Sequence, residues 1–562
     1  MVYTGKPSRG CQMCKSRRIK CDEKRPICGQ CQKSGRVCPG YPDEFDLVFR
    51  DENKAMERKA RKASGSSKTV SSQQGSPSSL SSGSISEVSP GSSPRGVAET
   101  LSSRSSIDLG QDSQLVTLPH NAPSFNSEDF STFLWNLEHG MSPNITLPPE
   151  VEAVPFFFKN FVPLPQQADS MRGYLELLVP VYNKTRPSSA LHLAINAVAL
   201  ATYGNYPGRA RLLQEAATTY GTALRKLNDD LKDPVASRSN DSILTTLLFS
   251  LYETIMSTDA TIIAWGNHVD GAVTLTKLRG TDQFKDPISR DIFRAVRTMM
   301  ITSCVQRSKP IESFPGQKGW IANDINEENA ANRLTLICMD LPNIRARANA
   351  LAGTDFDAAQ ELEARDILEF AQMVDTNLQQ WYDTLPNEWH YRTVGMQYDI
   401  PEDLATAETW QGPLHVYQDV PLASIVNDYR VCRIFCQRVI MACTTWLSYG
   451  GNYPVAQAYN SAIFIVQKMV DEISACVKFH LTYDMQPVAQ ELGLEPNAAE
   501  AFGGYSLVWP LYVAANAETV LQPQRDWLMG RLTVIGNHFG LSSAQILVVA
   551  RRHVLTCGPM FP

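Results

Sequence analysis

Six cysteines fall inside residues 11–38, at Cys11, Cys14, Cys21, Cys28, Cys31 and Cys38, spaced C-x2-C-x6-C-x6-C-x2-C-x6-C. The last three repeat the pattern of the first three. A polar stretch this short cannot build an adequate apolar core, so its fold has to come from linking the sulfurs. The N-terminal "MVYTGKPSRG" lacks the apolar run of a secretory signal, so the thiols are expected in a reducing compartment. There, metal binding is favoured over disulfides. Tetrahedral zinc takes four ligands. Six sulfurs supply either one site with two spare thiols or two sites that share ligands. The repeat favours the second arrangement, in which two equivalent sulfurs, such as Cys11 and Cys28, each bridge both ions. Two Zn²⁺ and six thiolates leave a negative cluster, which the surrounding Lys and Arg offset. The metal supplies much of the folding energy, about 10 kcal/mol or more per structural zinc.

Charge is distributed unevenly. Residues 1–40 hold ten Lys and Arg against Asp22 and Glu23, a net of +8, while the whole chain carries −6. A basic head on an acidic body indicates that the head meets the polyanion. The basic run includes Arg17 and Arg18, and arginine can bond guanine in the major groove. Lys15 and Lys20 are suited to phosphate, setting affinity and salt dependence. The head lacks the aromatic platform of single-strand readers, which favours double-stranded DNA over RNA.

The segment "CQMCKSRRIKCDEKRPICGQCQKSGRVC" resembles the fungal Zn2Cys6 binuclear cluster domain. The resemblance implies two zinc ions held by the six cysteines, with Cys11 and Cys28 as the bridges. It also implies a helix after each C-x2-C pair, the first over 12–18, unstable alone and held by ligation at Cys11, Cys14 and Cys21 with Arg17 and Arg18 near its C-terminal end, and a proline, often cis, in the loop at Pro26. It assigns reading of a CGG-like triplet to Arg18 first and Arg17 second.

Behind the head, residues 46–63 form a charged linker helix by pattern, without a convincing heptad zipper. Within it "RKARK" (58–62) suits nuclear import, a phosphate contact or a solvated helix end. Residues 64–127 are rich in Ser, Gly and Pro and cannot offset their ordering entropy, so a disordered linker is expected. "SFNSEDFSTFLWNLEHG" (124–140) fits an amphipathic docking helix better than an acidic activation segment.

From about residue 155, apolar residues recur at three and four spacings and strand alternation is scarce, with helices expected over 189–203, 209–231, 241–257, 264–280, 288–307, 363–385, 429–450, 524–540 and 542–554. The expected organisation is therefore 1–45 as the zinc domain, 46–63 and 64–127 as linkers, and 128–562 as a large all-α regulatory domain. "FFFKNFV" (156–162), "SLYETIMS" (250–257), "AWGNHVDGAVTL" (264–275), "LRG" (278–280) and "SRDIFRAVR" (289–297) resemble the fungal-specific regulatory domain that follows many such clusters. The resemblance implies a helical regulatory domain and, in sterol regulators, a ligand pocket. It carries no pocket residue to this chain.

No hydrolase elbow, phosphate loop, zinc-protease helix or dinucleotide fingerprint occurs, so the body is read as non-enzymatic. His268, near Asp270, is expected to be a hydrogen-bonded structural residue. Cys432, Cys436 and Cys443 share a helical face and are expected to be core packing rather than a redox or metal site. No apolar run is long enough for a membrane span. These features describe a nuclear regulator of transcription, an activator by family habit. The alternatives are a repressor and a scaffold whose cluster is only structural. Its partners would be double-stranded DNA, the transcription machinery, a second copy as homodimer and a small-molecule effector. Control of a metabolic or secondary-metabolite gene cluster fits this description.

Overall fold

The computed structural model describes residues 13–14, 17, 19–22, 28–36 and 38 of the head. In the body it describes 149–163, 170–171, 173–206, 208–258, 264–315, 319–321, 328–351, 354, 357–449, 456–481 and 500–550. Cys11, Lys15, Arg18, Pro26, the linker segments of 46–127 and the segment 124–140 lie outside the described residues.

In the head, α1 (Gly29–Lys33) follows the second C-x2-C start. Its first backbone amide, Gly29 N, donates to the Asp22 carboxylate at 2.9 and 3.1 Å. Cys28 Sγ accepts from Cys31 N at 3.3 Å. This five-residue helix is too short to stand without such ties. Gly35 ends it at φ +62°, a left-handed position that glycine adopts without steric cost.

The body is predominantly helical. Its first part comprises α2 (Pro149–Phe161), α3 (Leu178–Tyr182), α4 (Ala190–Gly204), α5 (Arg211–Asp230), α6 (Asn240–Ile255), α7 (Ala264–Arg279) and α8 (Pro287–Arg307). Next come α9 (Ala330–Ile337), α10 (Leu341–Leu351) and α11 (Ala358–Asp383). A hairpin of β1 (Arg392–Gln397) and β2 (Gly412–Val416) intervenes. The chain then forms α12 (Val420–Tyr449), α13 (Ala456–Leu481), α14 (Glu500–Ala515), α15 (Gln522–His538) and α16 (Ser542–Ala550).

Helix starts follow local chemistry. Ser189, Ser239, Asp286, Asn329 and Asp357 each place a side-chain oxygen on the first-turn amides of α4, α6, α8, α9 and α11. Helix α11 buries Ala364, Ile367, Leu368, Ala371, Val374, Leu378 and Trp381, a stripe at three and four spacing that sets which face meets α12. Helix α4 is buried on nearly every side and lies against α2, α5 and α6. The antiparallel strands pair Arg392 with Val416 and Gln397 with Gly412, with an irregularity between Thr393 and Gly395. This hairpin is an addition to the all-α expectation. Its strands are short and mostly half-exposed, so they lack a strong alternating pattern.

The quoted body motifs are largely tie points. Arg279 of "LRG" donates to Arg238 O at 2.8 Å and Asn240 Oδ1 at 2.6 Å. Arg297, closing "SRDIFRAVR", is fully buried and meets Glu328 and Asn332, each at 3.1 Å, and Trp320 O at 3.1 Å. Among the described residues, no helix is long and apolar enough to cross a membrane.

Candidate metal centre and nucleic-acid interface

The sulfurs of Cys14, Cys28 and Cys31 lie within 4.8 Å of one another, and all three side chains are buried. Cys14 and Cys28 Sγ are 3.7 Å apart. Met13, Cys21 and Cys38 pack against this cluster. Cys28 also belongs to a second group, with Cys21 and the Asp22 carboxylate. Asp22 already accepts from the α1 amide, so the second group is a sulfur pair with a capping carboxylate beside it. Buried thiols converging inside an otherwise exposed, charged segment are the donor set that zinc selects. The described cysteines fit the ion. Bound zinc supplies the cross-link that a core would otherwise provide; the protein supplies the thiolates and the basic shell.

The cysteine repeat is matched by a repeat of backbone bonds. Ile19 N donates to Cys14 O and Arg36 N to Cys31 O, both at 3.1 Å. Arg17 N donates to Met13 O and Ser34 N to Gln30 O, both at 3.3 Å. The two halves share a backbone path but differ in charge: residues 11–21 carry four Lys and Arg, and residues 28–38 carry two, Lys33 and Arg36. Where the first half has Lys15, Arg17, Arg18 and Lys20, the second has Gln32, Ser34, Gly35 and Val37. The cation-rich half is therefore the better anion-facing surface. Arg17 and Lys20 are exposed. Arg17 Nη1 donates to Ser34 Oγ at 3.3 Å, a bond that contact with a base would have to replace.

The body holds a cavity of about 250 Å³ walled by α6, α8, α12, α14 and α16 and by the segment around Tyr174. Trp265, Phe502, Tyr505 and Trp509 give it aromatic faces. Tyr174 and Ser543 are 4% and 7% exposed, line the cavity, and have hydroxyls without a hydrogen-bond partner. A mostly apolar cavity with a few polar groups is the usual form of a small-molecule site. Sequence patterns do not mark these residues, because they come from elements far apart in the chain.

One constellation at the cavity wall resembles a hydrolytic triad and is wired in the opposite sense. Asn427 Oδ1 accepts from Arg430 Nη1 at 2.7 Å, which turns Asn427 Nδ2 toward His480 Nε2 at 3.1 Å. Nε2 is then the acceptor and Nδ1 carries the proton, 3.2 Å from Ser506 Oγ. The Ser506 hydroxyl donates to Gly503 O at 2.9 Å. A general base needs the reverse arrangement. Burial, helped by the Arg430 charge, lowers the His480 pKa to about 3. His480 is thus a neutral, buried donor that joins α12, α13 and α14. Gly503 permits this approach, since a Cβ there would collide with the His480 carbonyl.

His268 has the expected structural role. Its Nε2 lies 3.1 Å from Tyr220 Oη, and burial lowers its pKa to about 4. Asp270 pairs with Arg307 at 3.0 and 2.7 Å. Cys436 and Cys443 are fully buried, as expected of packing. Cys432 differs: its sulfur lies 3.2 Å from Cys338 Sγ, a neighbour the helical-face reading did not contain.

The model of the fungal Zn(2)-Cys(6) binuclear cluster domain matches residues 9–46, and that of the fungal specific transcription factor domain matches residues 154–307. Transcription factor dbaG of Emericella nidulans is 24% identical over 413 residues, covering 72% of this chain and 93% of that protein. The aspercryptin biosynthesis cluster-specific transcription regulator atnN, also of Emericella nidulans, is 54% identical over 37 residues, 7% of this chain and 6% of that protein. Sterol uptake control protein 2 of Candida albicans is 52% identical over 42 residues, 8% of this chain and 6% of that protein. The chain thus spans most of the first relative and only short segments of the other two. No solved structure matches the chain significantly.

Proposed function

The chain joins a Zn2Cys6 cluster domain to a fungal-specific transcription factor domain and is homologous to fungal Zn2Cys6 transcription factors; from that premise we propose that it is a nuclear regulator that reads a CGG-like triplet in double-stranded DNA. Two zinc ions are held by Cys11, Cys14, Cys21, Cys28, Cys31 and Cys38, with Cys11 and Cys28 bridging. The membership of Cys28 in both donor groups supports its part in that assignment. Arg18 and Arg17 read base edges, and Lys15 and Lys20 hold phosphates. The zinc domain occupies 1–45 and the regulatory domain 128–562, with linkers at 46–63 and 64–127.

The observation that carries this reading is the asymmetry of the head. A two-fold backbone repeat bears four Lys and Arg on its first half, residues 11–21, against two, Lys33 and Arg36, on its second, residues 28–38. Activation rather than repression is proposed from family habit. A metabolic or secondary-metabolite gene cluster is proposed as the target, supported by the biosynthetic-cluster regulator among the relatives. The transcription machinery and a second copy of the chain are the proposed protein partners. A small-molecule effector is proposed for the body cavity, with the Tyr174 and Ser543 hydroxyls as its polar contacts.

The test is a binding selection of the zinc-loaded full chain on random duplex DNA at near-physiological salt. Two zinc per chain with an enriched CGG-type triplet is the expected result, and the half-site spacing reports monomer or dimer. Two zinc without enrichment makes the cluster structural only, as in a scaffold. Substituting Arg17 and Arg18 should abolish enrichment while zinc content holds.

A further inference from the structure

Cys338 and Cys432 stand 94 positions apart in the chain, yet the Cys338 thiol donates to the Cys432 sulfur at 3.2 Å. Cys338 opens the short 3-10 turn Cys338–Asp340 between α9 and α10, and is buried. Cys432 lies in α12 and is half-buried. We infer that Cys338 and Cys432 form an oxidative modification site, closing to a reversible disulfide when the protein meets hydrogen peroxide.

Geometry carries the inference. A disulfide needs its sulfurs at about 2.05 Å, so closure asks for an approach of about 1 Å. The surrounding elements already hold the two sulfurs close. Arg345 of α10 lies over the Phe435 ring of α12, 4.2 Å from its centroid. Arg433, next to Cys432, pairs with Asp375 of α11 at 2.8 Å. Cys432 is the less buried residue of the two, so it meets peroxide first and leaves Cys338 to resolve.

The chemistry balances in two steps. The Cys432 thiol gives up its proton and its sulfur attacks one peroxide oxygen; the O–O bond breaks, and the leaving hydroxide takes up that proton to become water. The Cys338 sulfur then attacks the resulting sulfenic sulfur, the S–O bond breaks, and a second water leaves with the Cys338 proton. Two thiols are oxidised and one peroxide is reduced to two waters.

The other described body cysteines lack this arrangement. Burial pushes Cys304 up to about 11 and Cys443 up to about 12, and raises Cys436 and Cys476 as well. Protonated, enclosed thiols react slowly. Both cysteines also lie close to the cavity wall. Cys432 lies one turn beyond Asp428, which lines it. Cys338 lies one turn beyond Thr335, whose hydroxyl is 3.3 Å from that of the cavity-lining Thr298.

The zinc-loaded full chain is titrated with hydrogen peroxide, quenched, alkylated and digested without reductant for peptide mass mapping. Zinc content is followed in the same samples, so that oxidation of the head is scored separately. The expected result is a linked Cys338–Cys432 peptide, lighter by two hydrogens than its parts. It should appear at lower peroxide than any modification of Cys436 or Cys443 and vanish with dithiothreitol. Cys338→Ser and Cys432→Ser should each eliminate it. Recovery of both cysteines singly alkylated or unreacted, over-oxidation of Cys432 without a linked peptide, or earlier oxidation of Cys436 would overturn the inference. The wild-type map decides even if a variant fails to fold.

Discussion

Among the described residues of the head, the buried side chains are Cys14, Cys28 and Cys31; in the body, they are dozens of Leu, Ile, Val, Ala and aromatic residues, together with fully buried arginines such as Arg297 and Arg430. The head has five residues in its described helix, and the body has helices of up to 30. The head therefore depends on an ion for its fold, while the body depends on apolar area and on internal charge pairing. Function divides along the same line. The described head cations Arg17, Lys20, Lys33 and Arg36 are exposed, whereas the body buries some of its own, such as Arg297 and Arg430, in ion pairs with Glu328 and Glu472.

The largest effect that tests this contrast is zinc removal. A chelator should unfold the head, a loss on the order of 10 kcal/mol per ion, while the body keeps its helical circular dichroism and its protease resistance. Loss of body structure on chelation would break the comparison.

Next is the removal of one partner from a buried pair. Arg297 and Glu328 are both 0% exposed and 3.1 Å apart. Arg297→Leu should destabilise the body by about 3–5 kcal/mol, since it leaves the buried Glu328 with Arg294 as its remaining ion-pair partner and removes the bonds to Trp320 O and Asn332 Oδ1. Thermal unfolding reads this, with zinc content unchanged.

Acid comes third. Burial, with Arg430 nearby, depresses His415 and His480 to about 3. A histidine with a lowered folded pKa binds fewer protons folded than unfolded. Its contribution is therefore complete above about pH 6.5 and is lost as pH falls. Each should cost the body about 2 kcal/mol between pH 6.5 and 5. His480→Gln should flatten that slope in urea titrations at several pH values.

The smallest effects lie at the head surface. Arg18→Ala should cost about 1–3 kcal/mol of binding to the selected triplet. Lys20→Ala should weaken binding evenly across sequences and reduce the salt slope by about one. Neither should move the body's melting midpoint.

The helices over 190–204, 211–230, 240–255, 264–279, 287–307 and 358–383 were legible because each has a cap, a stripe or both. Helix α13 was equally legible: Ala462, Val466, Met469, Val470, Ile473 and Val477 are buried at helical spacing, yet the reading from periodicity names no helix there. Helix α14 was harder to read, being apolar around its circumference with Pro510 inside. The hairpin carried too little alternation to stand out.

The residues by themselves determined the zinc head, because ligand spacing is local and tetrahedral sulfur coordination admits few arrangements. They also determined the helical class of the body, through periodicity, and the polarity of its charge. Tertiary structure alone decided which distant side chains meet. It set Cys338 against Cys432, turned Asn427 to fix the His480 tautomer, and gathered Tyr174 and Ser543 at one cavity. These contacts depend on how helices far apart in sequence cross, and no spacing along a single helix encodes a crossing.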